Sequence, residues 1–197
     1  MAEPALRHAT YDDVLRAPEG QVAELIGGEL WLSPRPAKPH AAAAAALGEE
    51  LGPPFKRGRN GPGGWILLDE PELHLGSHVI VPDLGGWRRE RLPHLTNDEA
   101  YFTLPPDWAC EVLSPSTMGR DRVRKLPIYA EYGVRHVWLV DPLQRTLEVL
   151  TLSGNRYVLA GLFERDAAIR AEPFDAIELS LGILWEDVVL GTPVVNP

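Results

Sequence analysis

The sequence predicts an α/β (α+β) domain: a mixed central β-sheet with helices on its faces and extra β-hairpins. Three observations carry that prediction. Trp108–Leu113, Asp121–Tyr132 and His136–Val140 read as strand, helix and strand, the unit of a right-handed parallel crossover. Gly27-Gly28, Gly76-Ser77 and Ser153-Gly154-Asn155 each separate two apolar runs, the mark of a hairpin. Six consecutive alanines follow Pro39-His40, and alanine favours helix while letting it lie close against a sheet.

Each element has its own signal. Thr10-Tyr11-Asp12-Asp13 resembles a capped helix start, and Pro18 with Gly20 keeps that helix short. Val22–Ile26 and Glu29–Leu32 form the first hairpin, with Val22, Glu24 and Ile26 on one face. Glu24 therefore shares a face with apolar neighbours, either as a solvated edge residue or as part of a site. The alanine helix runs to Leu51, where Gly52-Pro53-Pro54 predicts a stop. His40, at its start, reads as a capping or surface residue sooner than as a ligand, although a first-turn position can face a site. Trp65–Leu68, Glu72–Leu75 and His78–Val81 are three strands, and Gly85-Gly86 is expected to let the chain leave the sheet after Asp83. His74 and His78 flank a turn without a third ligand and read as surface residues. Residues 88 to 106 form a polar, proline-punctuated excursion. Pro127 falls inside the Asp121–Tyr132 helix, which predicts two short pieces with the proline in the first turn of the second. A last hairpin covers Thr146–Leu152 and Arg156–Ala160, and the tail through Ala168–Arg170, Ile177–Leu181 and Leu184–Leu190 adds edge structure and packing.

Composition narrows the function classes. The chain has 197 residues, 45% hydrophobic, enough for one domain with a sizeable core. Nineteen prolines and eighteen glycines favour many short elements over a helical bundle. No run approaches the roughly 18 apolar residues of a membrane span, so no membrane partner is expected. The single cysteine, Cys110, excludes an intramolecular disulfide, and the first residues lack the build of a signal peptide; a cytoplasmic location is expected. A formal net charge of −9 argues against coating nucleic acid by bulk charge. Three clusters, Lys56-Arg57-Arg59, Arg88-Arg89-Arg91 and Arg120-Arg122-Arg124-Lys125, form either a local basic rim or ordinary solvated loops.

The chemistry centres on two acids. Trp108-Ala109-Cys110-Glu111-Val112-Leu113 is an apolar strand holding one carboxylate, which costs several kcal/mol unless something pairs with it. Val79-Ile80-Val81-Pro82-Asp83 repeats the arrangement upstream. On neighbouring strands, Asp83, Glu111 and the backbone carbonyl of Val112 would suit Mg²⁺, with Mn²⁺ as a substitute, and a metal so held assists attack on a phosphodiester. Lys125, on the helix returning over the same strand, is the nearest cation. The bland alternative for it is an i,i+4 pair with Asp121 on a solvated helix face.

Val81-Pro82-Asp83, Glu111-Val112-Leu113-Ser114-Pro115-Ser116-Thr117, Asp121, Lys125, Tyr129, Gly133-Val134 and Trp138-Leu139-Val140-Asp141-Pro142 together resemble the Uma-two family of restriction endonucleases, within the PD-(D/E)xK nuclease superfamily. Glu24, Gly28-Glu29, Ser33-Pro34 and His40 resemble its opening. The resemblance implies a restriction-endonuclease-like core at about residues 11–160 of one 1–197 domain. It also implies a catalytic set of Asp83, Glu111, Lys125 and Glu24 acting on DNA. The usual lysine two positions after the second acid is replaced by Leu113, and Lys125 matches a lysine that takes over from the following helix. Glu24 matches an acid near the family's site, as a further metal or water contact. The expected activity is Mg²⁺-dependent DNA hydrolysis. The alternatives are a catalytically weak or inactive nuclease-fold module that binds nucleic acid or protein, and hydrolysis of a small phosphorylated or nucleotide substrate. A homodimer through the C-terminal hairpins would suit cleavage of two strands.

Overall fold

The computed structural model describes residues 8–96 and 98–189. Six strands form the main sheet: β3 (Trp65–Asp69), β6 (Leu84–Arg88), β7 (Trp108–Val112), β8 (His136–Asp141), β9 (Thr146–Ser153) and β10 (Arg156–Glu164), in the order β10-β9-β8-β7-β6-β3. Only β7 and β8 run parallel, joined by the expected helical crossover. A second sheet of four antiparallel strands holds β1 (Gln21–Ile26), β2 (Glu29–Pro34), β4 (Leu73–Leu75) and β5 (His78–Ile80), in the order β2-β1-β5-β4. The fold is mixed α+β. No helix among the described residues is long and apolar enough to cross a membrane.

The main sheet is packed on both faces. On one face Trp108, Cys110 and Val112 of β7 join α2 (Lys38–Leu51) through Ala43, Leu47 and Leu51, and Phe174 wedges between Trp65, Trp108 and Trp138. On the other, Ala109 and Leu113 meet Ile128 and Tyr129 of α4 (Leu126–Glu131), with Leu73, Leu75 and Ile80 of the second sheet beside them. Strand alternation puts Glu111 on this second face, between Ala109 and Leu113.

Three local expectations change. Gly85-Gly86 does not release the chain; both glycines lie inside β6, a central strand. A Cβ on Gly86 would lie 3.0 Å from Leu67 and 3.1 Å from Trp108, so the glycines leave room for indole rings. The strand neighbouring β7 is thus β6, which Asp83 immediately precedes, while β5 belongs to the other sheet. Gly52-Pro53-Pro54 does not stop α2 outright: the chain coils on through a wider turn, Gly52–Lys56, where prolines at the first positions forfeit no obligatory donor. The short α1 (Tyr11–Leu15) starts as expected, the Thr10 N–H donating to the Asp13 carboxylate at 2.8 Å. Pro127 sits at the start of α4, after α3 (Met118–Arg120) and a π-type turn, Asp121–Lys125. In the tail, β11 (Ala168–Ile169) pairs with β12 (Leu179–Ser180) before a 3₁₀ turn, Leu181–Trp185; Leu190 lies outside the described residues.

Candidate active site

Local folding aims each side chain. Asp83 stands just before β6, where antiparallel pairing with β7 sets it opposite the end of that strand; its Oδ2 accepts the Val112 N–H at 2.6 Å. Amide and carbonyl of a residue in an antiparallel ladder face the same partner, so the Val112 carbonyl opens toward Asp83 as well. The other Asp83 oxygen lies 2.7 Å from Nε2 of His40, in the first turn of α2. His40 is therefore part of the site and not the capping or surface residue its position suggested.

The π-type turn does the same for the crossover. Its extra residue per turn carries Asp121 and Lys125 inward while Val123 stays 69% exposed. Lys125 is only 2% exposed, and its ammonium meets Glu24 at 2.9 Å, Glu111 at 3.1 Å, Asp121 at 3.6 Å and the Val81 carbonyl at 3.1 Å. The i,i+4 pair with Asp121 exists, but in the interior and not on a solvated face. Tyr129, one turn on, donates its hydroxyl to the other Glu111 oxygen at 2.5 Å.

Glu24 is buried, not a solvated edge residue. Its Oε1 accepts the Val81 N–H at 2.9 Å, and Arg120 lies 3.2 Å from Oε2 while donating to the Ser33 hydroxyl. One carboxylate thus ties the second sheet to the crossover helix and to the segment leading into Asp83. These groups close the floor and walls of a recess of about 250 Å³, whose mouth is formed by Pro34–Ala37 and Ser114–Thr117.

The electrostatics are lopsided. Five carboxylates, Glu24, Glu70, Asp83, Glu111 and Asp121, line the recess with three permanent cations, Arg35, Arg120 and Lys125. Burial drives the Glu111 carboxyl well above the usual range; Lys125 pulls it back, and Asp121, Asp83 and Glu24 push it further up. Asp121 is raised by burial too, against Lys125. Burial alone would lower the Lys125 ammonium, but Glu111, Glu24 and Asp121 outweigh it and hold it above an ordinary lysine. Among the described residues no three His, Cys, Asp or Glu side chains form a ready metal cage, since Lys125 and Arg120 stand between the acids.

Residues 9–182 match the Uma2 (Uma-two) family, described as "Putative restriction endonuclease". The chain belongs to the Uma2 family. A solved structure described as a putative nuclease belonging to DUF820, from Anabaena variabilis, is similar to it at 25% identity and a TM-score of 0.73, over 90% of this chain and 98% of that one. No curated protein matches the sequence.

In this Uma2 chain Leu113 sits on the same sheet face as Glu111 and is 2% exposed, packed into the core beside Tyr129. The structure brings Asp83, Glu111, Lys125 and Glu24 to one recess; Val112 is buried behind it and reaches it through its N–H to Asp83. Sequence reasoning assigned no role to His40, Arg120 or Tyr129. A signal for Tyr129 was present: Asp121, Lys125 and Tyr129 recur every four residues, a polar stripe on a helix that must face a sheet. His40 had the signal of its first-turn position and of the family's opening, whereas Arg120 had none, because it meets Glu24 across 96 positions of chain.

The basic rim does not assemble as a unit. Arg120 and Lys125 are internal, Arg122 pairs with Glu148, Arg91 with Asp107, and Lys56 donates to the Leu67 carbonyl. His74 and His78 stay away from the recess, His74 against Glu72 and Tyr101, His78 accepting the Gly27 N–H.

Proposed function

We propose that this protein is a Mg²⁺-dependent endonuclease that hydrolyses DNA phosphodiester bonds, with Mn²⁺ as a substitute ion. The observation that supports this most is Asp83 and Glu111 at the joined ends of two paired strands, with the Lys125 ammonium 3.1 Å from Glu111. The donor set fits a hard divalent cation. Asp83, Glu111 and the Val112 carbonyl are oxygen ligands of the kind Mg²⁺ takes while keeping several waters. The recess also carries a formal excess of two negative charges, and burial with the neighbouring acids raises the Glu111 carboxyl, a cost that a bound cation would offset. The ion would supply charge neutralisation to a phosphodiester under attack and a more acidic water.

The chain's own residues then have distinct tasks. Lys125 donates hydrogen bonds toward the attacking water and the phosphate oxygens. Glu24 acts through Lys125, holding it against Glu111, and so is a positioning residue. Tyr129 fixes the Glu111 carboxylate, and His40 steadies Asp83 from the far side. A homodimer belongs to the same proposal: Val158, Leu159 and Leu162 on β10, the free edge of the main sheet, are 50%, 57% and 61% exposed.

The test is nicking of plasmid DNA by purified protein with Mg²⁺ or Mn²⁺. Asp83→Ala and Glu111→Ala should each abolish it; nicking that survives both substitutions ends the proposal. A catalytically weak or inactive binding module is the second reading. It draws support from Leu113 and from the occupation of both Glu111 oxygens by Lys125 and Tyr129. Calorimetric titration with Mn²⁺ separates the two, since a site present in the wild type and lost in Asp83→Ala favours the nuclease.

A further inference from the structure

The shape and charge of the recess bear on which form of DNA it can take. Its reactive floor is sunk: Glu111 and Lys125 are each 2% exposed, and the Asp83 and His40 side chains only 18% and 11%. A duplex is stiff, with a persistence length of about 150 base pairs, so it cannot lower one phosphate into a narrow recess without being opened or sharply bent. Duplex binding also rests on many cations spread along the groove, of the order of 6–10 phosphate contacts.

Within the recess most such cations are already engaged. Of the three basic side chains lining the recess, Arg120 and Lys125 are engaged with buried acids, which leaves Arg35 at the mouth. The formal charge of the whole chain is −9. What the mouth does offer is different in kind. Ser114 Oγ lies 3.0 Å from both Ser116 Oγ and Thr117 Oγ1, a knot of hydroxyls suited to phosphate oxygens. Opposite them, Pro34 and Pro36 present rigid apolar walls, suited to a sugar or an unstacked base.

Resting on the nuclease reading above, we propose that the substrate is a single-stranded segment of DNA, such as an overhang, a flap or an unpaired stretch, fed between the Ser114–Thr117 hydroxyls and the Pro34–Ala37 wall. A free strand bends at each nucleotide, so one phosphodiester can descend to Asp83 and Glu111 while its neighbours stay at the rim with Arg35 and the hydroxyls.

The experiment uses the full chain with Mn²⁺ on three labelled substrates of one sequence: a single strand, the same strand as a flap on a duplex, and a duplex capped by hairpins at both ends. Binding is followed in parallel by fluorescence anisotropy with the Asp83→Asn variant. Strand and flap should be cut, and bound, at least about tenfold better than the capped duplex, with a shallow salt dependence. Arg35→Ala should raise KM for the single strand several-fold with kcat little changed. Equal cutting and binding of the capped duplex overturns the strand preference while leaving the nuclease reading intact. A free dinucleotide is run beside these three, and its cutting as fast as the strand overturns the preference in favour of a small substrate. Strand-selective binding with no Asp83-dependent cutting of any substrate overturns the nuclease reading and keeps the preference. Absence of both binding and cutting overturns the two together.

Discussion

Lys125→Met is the most revealing perturbation, because the surroundings of Lys125 set the size of the effect. The ammonium contacts three carboxylates between 2.9 and 3.6 Å and one carbonyl at 3.1 Å, and the side chains of the lysine and all three acids are 1–3% exposed. Solvent screening is therefore slight, and an exposed-pair value of about 0.3–0.5 kcal/mol does not apply. Removing one member of a buried ion network leaves uncompensated charge and costs about 3–5 kcal/mol. Urea unfolding followed by tryptophan fluorescence reads this directly, since four of the indoles are fully buried. Adding Glu24→Gln should return part of the loss, because it removes one of the stranded charges; a coupling of about 1–3 kcal/mol is expected. Mn²⁺ should stabilise the Lys125→Met protein more than the wild type, since it replaces a missing cation. A loss below about 1 kcal/mol, with additive effects in the double variant, would refute the buried network as described.

Three further outcomes follow from other parts of the structure. Tyr129→Phe removes a donor to the buried Glu111 oxygen and should cost about 1–3 kcal/mol by urea unfolding, with a larger relative loss of activity than of stability. Gly86→Ala places a methyl 3.0–3.3 Å from Leu67, Trp108 and Trp65 and should destabilise by about 1–3 kcal/mol, visible as a lower Tm. His136 is held below the ordinary histidine value, by burial first and by Arg135 and Arg88 in addition, with Glu172 opposing. The unfolded chain therefore binds a proton that the folded chain refuses, and stability declines as pH falls below about 6.5. His136→Gln should flatten that part of the stability–pH curve; an unchanged slope would contradict it.

Much of the architecture was legible because local chemistry and tertiary demand agree. Gly27-Gly28 and Gly76-Ser77 turn where hairpins turn, the alanine run is helical, and Pro127 sits at the start of a helix as its missing N–H requires. Where the two conflict, the sequence misleads. Gly85-Gly86 looks like an exit from a sheet, yet it forms the middle of β6, because Pro71 and the Trp87 ring crowd Gly85 and the indoles of β3 and β7 crowd Gly86.

The site divides along the same line. By itself the sequence determined that Glu111 lies within an apolar strand and Asp83 just after an apolar run, that Leu113 occupies the place of a lysine, and that Lys125 lies on the returning helix at four-residue spacing from Asp121. Those facts are local, set by alternation and helical periodicity. Only the tertiary structure decided that β6 is the strand carrying Asp83 to Glu111, that Glu24 of the second sheet holds Lys125 and pairs with Arg120, and that His40 backs Asp83. These contacts join groups 28 to 101 positions apart. Packing of one sheet against another sets them, and no local pattern in a single chain encodes which buried charge will meet which.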